Sequence, residues 1–223
     1  MTELIQRIIK SQDEFSTVSH LSLVSGMVPL CFALPKFKRL TAELKLMAVY
    51  LMLAIIFTAI THTMSAFKMN NLNVITLFTW IETFTFCYIF SKWSNSKIAF
   101  KLAMSGFLFF SLYFILSFKV GHFNTPMEVF EGLMVGSLAA FLLFKISINT
   151  NDIIYKDYRF WFTAPTLLLL GINIVTLGIL NQLHAIYPKL VIFNDIIYSS
   201  ISIFTHCLFA YGFVCYQRKM KSY

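Results

Sequence analysis

Charge is scarce in this sequence. Asp, Glu, Lys and Arg make up 13% of its 223 residues against 58% hydrophobic ones, whereas a soluble domain carries about 25% charged residues. So few charges cannot cover a globular surface, which excludes an ordinary soluble enzyme or binding module. Cysteine is sparse too. Cys31, Cys87, Cys207 and Cys215 lie in apolar segments or at their ends, where cysteine acts as a small hydrophobe, and no CxxC pair occurs. Neither a zinc site nor a disulfide framework is indicated, and no metal or other cofactor is expected. No polar stretch is long enough for a separate soluble domain.

Further absences exclude particular membrane activities. No lysine lies between Lys189 and Lys219, so the last apolar segment cannot carry a retinal Schiff base. It also lacks the HxxxH pair of seven-helix zinc hydrolases of the ceramidase and adiponectin-receptor kind, having only His206. No glycine-rich phosphate loop or serine-nucleophile motif points to another enzyme.

What is present is a recurrence of apolar runs, with mean hydropathy +0.73. A bilayer core about 30 Å thick needs about 20 helical residues at about 1.5 Å each. Seven segments qualify: Phe15 to Leu34, Lys45 to Thr63, Leu72 to Phe90, Ile98 to Phe118, Thr125 to Phe144, Phe160 to Leu180 and Leu190 to Tyr211. The fold class expected is an all-α membrane protein, a seven-helix bundle over residues 15–216 with a basic tail at 217–223. Breakers such as Pro35, Gly121 and Pro188 fall between the runs.

Lys and Arg set the direction, because positively charged loops stay in the cytoplasm. The first, third and fifth loops and the C-terminal tail hold 13 of the 18 basic residues, leaving 5 for the N-terminal tail and the other loops. The N-terminus is therefore expected outside and the C-terminus in the cytoplasm. The net charge of +8 is dispersed through these loops and forms no continuous stripe, so no nucleic-acid partner is expected. A cleavable signal peptide is not expected, since the first long apolar run begins only after Asp13 and Glu14. In the tail of residues 1–14, Leu4, Ile5, Ile8 and Ile9 face away from Glu3, Gln6, Arg7 and Lys10. That is the pattern of an interfacial amphipathic helix, with a frayed tail as the alternative.

Carboxylates within apolar runs are the most informative residues, since an ionised side chain at a helix centre costs at least about 2.5 kcal/mol. Glu82 lies near the middle of the third segment, while Glu128, Glu131 and Asp195 lie in the outer thirds of the fifth and seventh. With Asn194 they form a candidate ligand or ion site. The alternative is a hydrogen-bonded, protonated Glu82 and three carboxylates solvated near the headgroups. His206 and Asn173 are candidate buried polar residues. His20, His62, His122 and His184 scatter near the outer face without metal-ligand spacing.

Gly132, Gly136 and Ala140 form a small-residue stripe that suits close helix packing, within the bundle or in a homodimer. Pro29 and Pro165 sit inside the first and sixth segments, where each would free backbone carbonyls. At an offset of 123, Asn71, Phe86, Tyr88 and Phe90 fall on Asn194, Phe209, Tyr211 and Phe213, the trace a three-plus-one-plus-three parallel repeat would leave.

The stretch from Asn70 through Leu77-Phe78-Thr79-Trp80-Ile81-Glu82 to Phe90, with Phe160-Trp161-Phe162 and Asn194, resembles small uncharacterised bacterial seven-helix membrane proteins often encoded beside sensor histidine kinases. The resemblance implies a bacterial inner-membrane location, a signalling context and a recurring acidic residue matched by Glu82. No catalytic residue comes with it. Two functions are therefore carried forward: a sensory or signal-coupling module with an outward polar cavity and a partner such as a sensor kinase, and a small solute or ion transporter. The topology has a direct check: a reporter fused after Tyr223 should be active only in the cytoplasm, and activity outside would overturn the orientation.

Overall fold

The computed structural model describes the backbone of residues 17–67, 69–117, 125–149, 153–183 and 189–221, and their side chains except those of 17, 66, 117, 125, 149, 176–183, 189–195 and 221. The amphipathic stretch at 3–10, His122 and the loops around Gly121 and Pro188 lie outside these residues. The described chain is helical, with no strand. It runs as α1 (Thr17–Ser25), α2 (Met27–Ala33), a 3-10 segment (Leu34–Arg39), α3 (Ala42–Ala66), α4 (Leu72–Trp93), α5 (Lys97–Ser117), α6 (Thr125–Asn149), a short 3-10 turn (Ile154–Lys156), α7 (Phe160–Leu183) and α8 (Lys189–Lys221).

Local chemistry sets the boundaries. Thr41 caps α3, its hydroxyl accepting from Leu44 N at 3.5 Å, with Glu43 in the first turn where the helix dipole favours a negative charge. Asn70 Oδ1 accepts from Leu72 N at 3.0 Å where α4 begins. After α4 the chain reverses through Asn95 at φ 49°, a left-handed conformation that asparagine tolerates. The first segment is broken: Pro29 has no N–H to give, and its ring crowds the carbonyl four residues back, so the helix interrupts at Gly26. Pro165, by contrast, is accommodated inside α7.

Six helical stretches among the described residues are long and apolar enough to cross a membrane: Val18–Arg39, Ala42–Ser65, Leu72–Trp93, Lys97–Leu116, Pro126–Ile148 and Ile196–Met220. In α7 the described apolar stretch, Phe160–Val175, is shorter. The chain is a multi-pass helical membrane protein. Its helices form a ring in which α1 and α2 pack on α8, then α8 on α7, α7 on α6, α6 on α4, α4 on α3, and α3 back on α2. α5 stays outside this ring, against α4 and α6. It exposes Ile98, Leu108, Ile115 and Leu116 by 68 to 77%, a surface that only lipid would cover without cost.

The two halves of the ring differ. Toward the ends where α4 and α8 finish and α3 and α7 begin, the interior is solid and aromatic. Phe162 is fully buried, its ring centroid 5.0 Å from that of Phe213, 5.5 Å from Phe209 and 5.7 Å from Trp93. Leu44, Met47, Ile89 and Phe90 complete the layer, each fully buried. Around its rim, Arg159 Nη1 donates to Trp93 O at 3.0 Å and Lys145 Nζ donates to Ser94 O, so two cations meet the carbonyl end of α4. Gln217 ties the end of α8 back to the first segment, donating to Phe32 O at 2.7 Å and accepting from Lys36 Nζ at 2.7 Å.

Glycines mark close approaches between helices. A Cβ on Gly132 would meet Ile174 of α7 at 2.8 Å, whereas one on Gly136 would meet only Leu167, at 3.8 Å. These glycines therefore pack α6 against α7 within the bundle; Ala140, next on the stripe, is exposed. At Gly212 a Cβ would lie 2.6 Å from Phe162, whose ring is held on several sides. Gly212→Ala should cost about 1 to 3 kcal/mol through overpacking, and Gly136→Ala should be close to neutral, both read as thermal unfolding in detergent. Equal midpoints for the two variants would contradict the packing described.

Candidate functional site

The opposite half of the ring is hollow, with polar side chains set among apolar ones such as Leu51, Ile55 and Phe78. A cavity of about 260 Å³ lies between α1, α3, α4, α7 and α8, room for about eight waters at the roughly 30 Å³ a water occupies in the liquid, or for one small solute. Its wall carries Glu82, Tyr50, His62, His206, Tyr198 and a set of serines. No lysine or arginine is among the lining residues.

Each polar group arrives by helical register. Glu82 is ten residues into α4, about 15 Å along the helix and so near the middle of a membrane core. Tyr50 of α3 reaches it there, donating its hydroxyl to Glu82 Oε1 at 2.8 Å. The Tyr50 ring is held by Phe78, stacked at 5.8 Å, and by Phe86, edge-on at 5.0 Å. Among the described residues nothing else bonds the Glu82 carboxyl, so its second oxygen remains available in a side chain that lines the cavity.

His206 of α8 stands at the cavity wall with Nδ1 2.8 Å from Ser25 Oγ, and Ser25 Oγ also donates to Ser22 O at 2.7 Å. A serine has one hydroxyl hydrogen. With that hydrogen on Ser22 O, Ser25 accepts from His206 Nδ1–H, which leaves Nε2 as a lone-pair acceptor. Gly26, where the first segment breaks, lines the cavity, and a Cβ there would be in ordinary contact with His206 Cε1 at 3.7 Å. The proline-induced interruption thus lies directly beside the site.

Behind Glu82, the buried stripe of Thr76, Thr79 and Thr83 on α4 turns its hydroxyls onto carbonyls one turn back. Thr83 Oγ1 lies 2.7 Å from Thr79 O and 3.0 Å from Glu131 Oε1 of α6. One hydrogen cannot serve both acceptors. Both contacts are satisfied when Glu131 carries a proton and donates to Thr83.

The structure separates the carboxylates grouped from the sequence. Glu82 lines the cavity, Glu131 is buried behind Thr83, and Glu128 is half-buried on α6. The α8 backbone passes through Asn194 and Asp195, whose side chains are outside the described residues, as is His184. Asn173 is half-buried on α7 away from the cavity wall, and His62 lines the cavity. No three His, Cys, Asp or Glu side chains among the described residues come together to hold a metal ion, and the four cysteines are free thiols.

Sequence reasoning missed Tyr50, Tyr198 and the serines Ser22, Ser25, Ser199 and Ser202. The signal available was spacing: Ser19, Ser22 and Ser25 recur every three residues, as do Ser199, Ser202 and Thr205, a polar stripe on one helix face. No family model matches the chain, and neither the curated proteins nor the solved structures contain a match. The Thr83 pair yields a test: Glu131→Gln keeps a donor for Thr83 and should unfold near the wild-type temperature, while Thr83→Val strands a buried carboxyl and should cost about 1 to 3 kcal/mol. Equal losses in the two variants would contradict a donating Glu131.

Proposed function

We propose that the chain is a membrane-embedded receptor for a small polar solute, a seven-span bundle with its N-terminus outside, whose occupancy is passed to a partner protein at the basic, cytoplasmic end. The observation that carries this reading is a cavity with polar groups in one half of the bundle, backed in the other half by a solid aromatic layer. A pocket backed on one side by such a layer can report a bound solute without conducting it.

Its chemistry favours a ligand with a positive or hydrogen-bond-donating group. Glu82 offers a carboxylate oxygen, His206 an acceptor nitrogen and the wall no cation to repel it. A route to the other end also exists. α8 carries Ser199, Ser202 and His206 at the cavity and, eleven residues beyond His206, Gln217 at the basic end, about 16 Å along one helix without proline. Displacing His206 from Ser25 would shift the rod that Gln217 clamps to Phe32 and Lys36. The loops there are too short to hold an output domain, so the output is read by another protein, a sensor kinase in the context the sequence resemblance implies.

A transporter is the second reading. It is favoured by the position of α5, whose exclusion leaves the segments before and after it as two triplets that make up the ring, the arrangement of a parallel three-plus-one-plus-three repeat.

One experiment weighs both. Purified protein is screened by thermal shift against small primary amines and monovalent cations, then reconstituted into liposomes. At least one probe should stabilise the wild type, and Glu82→Gln should weaken that probe by about tenfold or more, the loss of a hydrogen bond to a charged group. No stabilisation by any probe, or the same affinity in Glu82→Gln, would sink the proposed site. Accumulation of the probe inside the liposomes would replace the receptor with the transporter.

A further inference from the structure

At the basic end a second hollow, of about 270 Å³, lies over the turn between α4 and α5, lined by Ser91, Lys92, Asn95, Ser96, Lys97, Phe100 and Lys101. Its character is the reverse of the intramembrane cavity: three ammonium groups, two hydroxyls and an amide, with no carboxylate in the wall. Lys92 is preset. Its Nζ sits 4.7 Å from the Phe100 ring centroid and 5.7 Å from that of Tyr88, contacts that hold the head of a flexible side chain toward α5. Ser96 Oγ accepts from Ala99 N at 3.3 Å and so caps the 21-residue α5, whose first turn lies at the hollow and adds the positive end of its dipole.

Position within the bilayer narrows the occupant. The hollow lies where α4 ends and α5 begins, at the level where a membrane presents headgroups. Beside it, each one residue on from a lysine and so at nearly the same depth, Ile98 and Leu102 are 72% and 68% exposed on α5, and the same face continues deeper through the exposed Phe109 and Leu112, a track for an acyl chain running down from the lysines. The neighbouring cations are already engaged: Lys145 donates to Ser94 O, and Arg159 donates to Trp93 O and pairs with the Asp157 carboxylate.

We infer that this hollow is a binding site for the phosphate headgroup of an anionic phospholipid, Lys92, Lys97 and Lys101 holding the phosphate and the Ile98 and Leu102 face of α5 holding the chain. Basic pockets at helix ends take anionic headgroups by this combination of charge and adjacent apolar surface. The site is independent of the cavity around Glu82.

The test is native mass spectrometry of the full chain released from detergent, with phosphatidylglycerol or phosphatidylcholine added. The wild type should retain phosphatidylglycerol over phosphatidylcholine, and neutralising Lys92, Lys97 and Lys101 together to Gln should lower that retention by about tenfold or more. The same three positions changed to Arg should preserve it, which separates lost binding from lost folding. Neutralising Lys38, Arg39 and Arg218 removes the same charge from the same end outside the hollow and should leave retention unchanged. Equal retention of the two lipids, equal losses in the two neutralised variants, or displacement of phosphatidylglycerol by millimolar inorganic phosphate would overturn the assignment.

Discussion

The hydrogen bond from Tyr50 to Glu82 joins two helices at the depth where a carboxyl is most expensive to keep. The rest of the bundle follows from that expense. In hydrocarbon there is no solvent to complete a polar group, and lipid tails offer helices no hydrophobic reason to associate. Polar side chains must find each other across helices or turn back on their own backbones. The threonines of α4 and α3 do the second, while Tyr50 with Glu82, Thr83 with Glu131, and His206 with Ser25 do the first. Those pairs occupy one half of the ring and leave a cavity between them.

The other half is built on shape. Phe90, Phe162 and Phe213 fill the space that polar groups would have left open, and Gly212 clears room for the Phe162 ring. The side chains of this layer satisfy no polar atom across helices; packing holds its interior, and hydrogen bonds such as Arg159 to Trp93 O and Gln217 to Phe32 O tie only its rim. A rearrangement there exchanges van der Waals contacts and breaks few hydrogen bonds, whereas one in the polar half must break a pair and find another partner for each member.

Much of the fold was legible because membrane thickness acts on composition. The starts of α4 at Leu72, α6 at Thr125 and α7 at Phe160 fall where the apolar runs begin. The helices then continue past the hydrocarbon limit, α6 to Asn149 and α8 to Lys221, since nothing in water obliges a helix to stop where its apolarity does. The candidate site was half legible. Glu82 is conspicuous as a lone charge, and His206 as a lone imidazole. Tyr50 is not, because one tyrosine among ten in an aromatic-rich chain carries no mark of its partner 32 residues away. Glu131 also looked like a surface carboxylate by its depth, and only the register of α6 against α4 turns it inward to Thr83.

α5 contributes no residue to the cavity wall and stands outside the ring, with its outer face open along most of its length. Past the turn that carries Lys97 and Lys101, that face meets lipid, where one large aliphatic residue should serve about as well as another. Two descendants of one ancestor could share every cavity residue and still differ most in this helix. Searches for distant kin are therefore better seeded with α3, α4 and α8 than with the whole chain, whose most interchangeable segment lies in its middle.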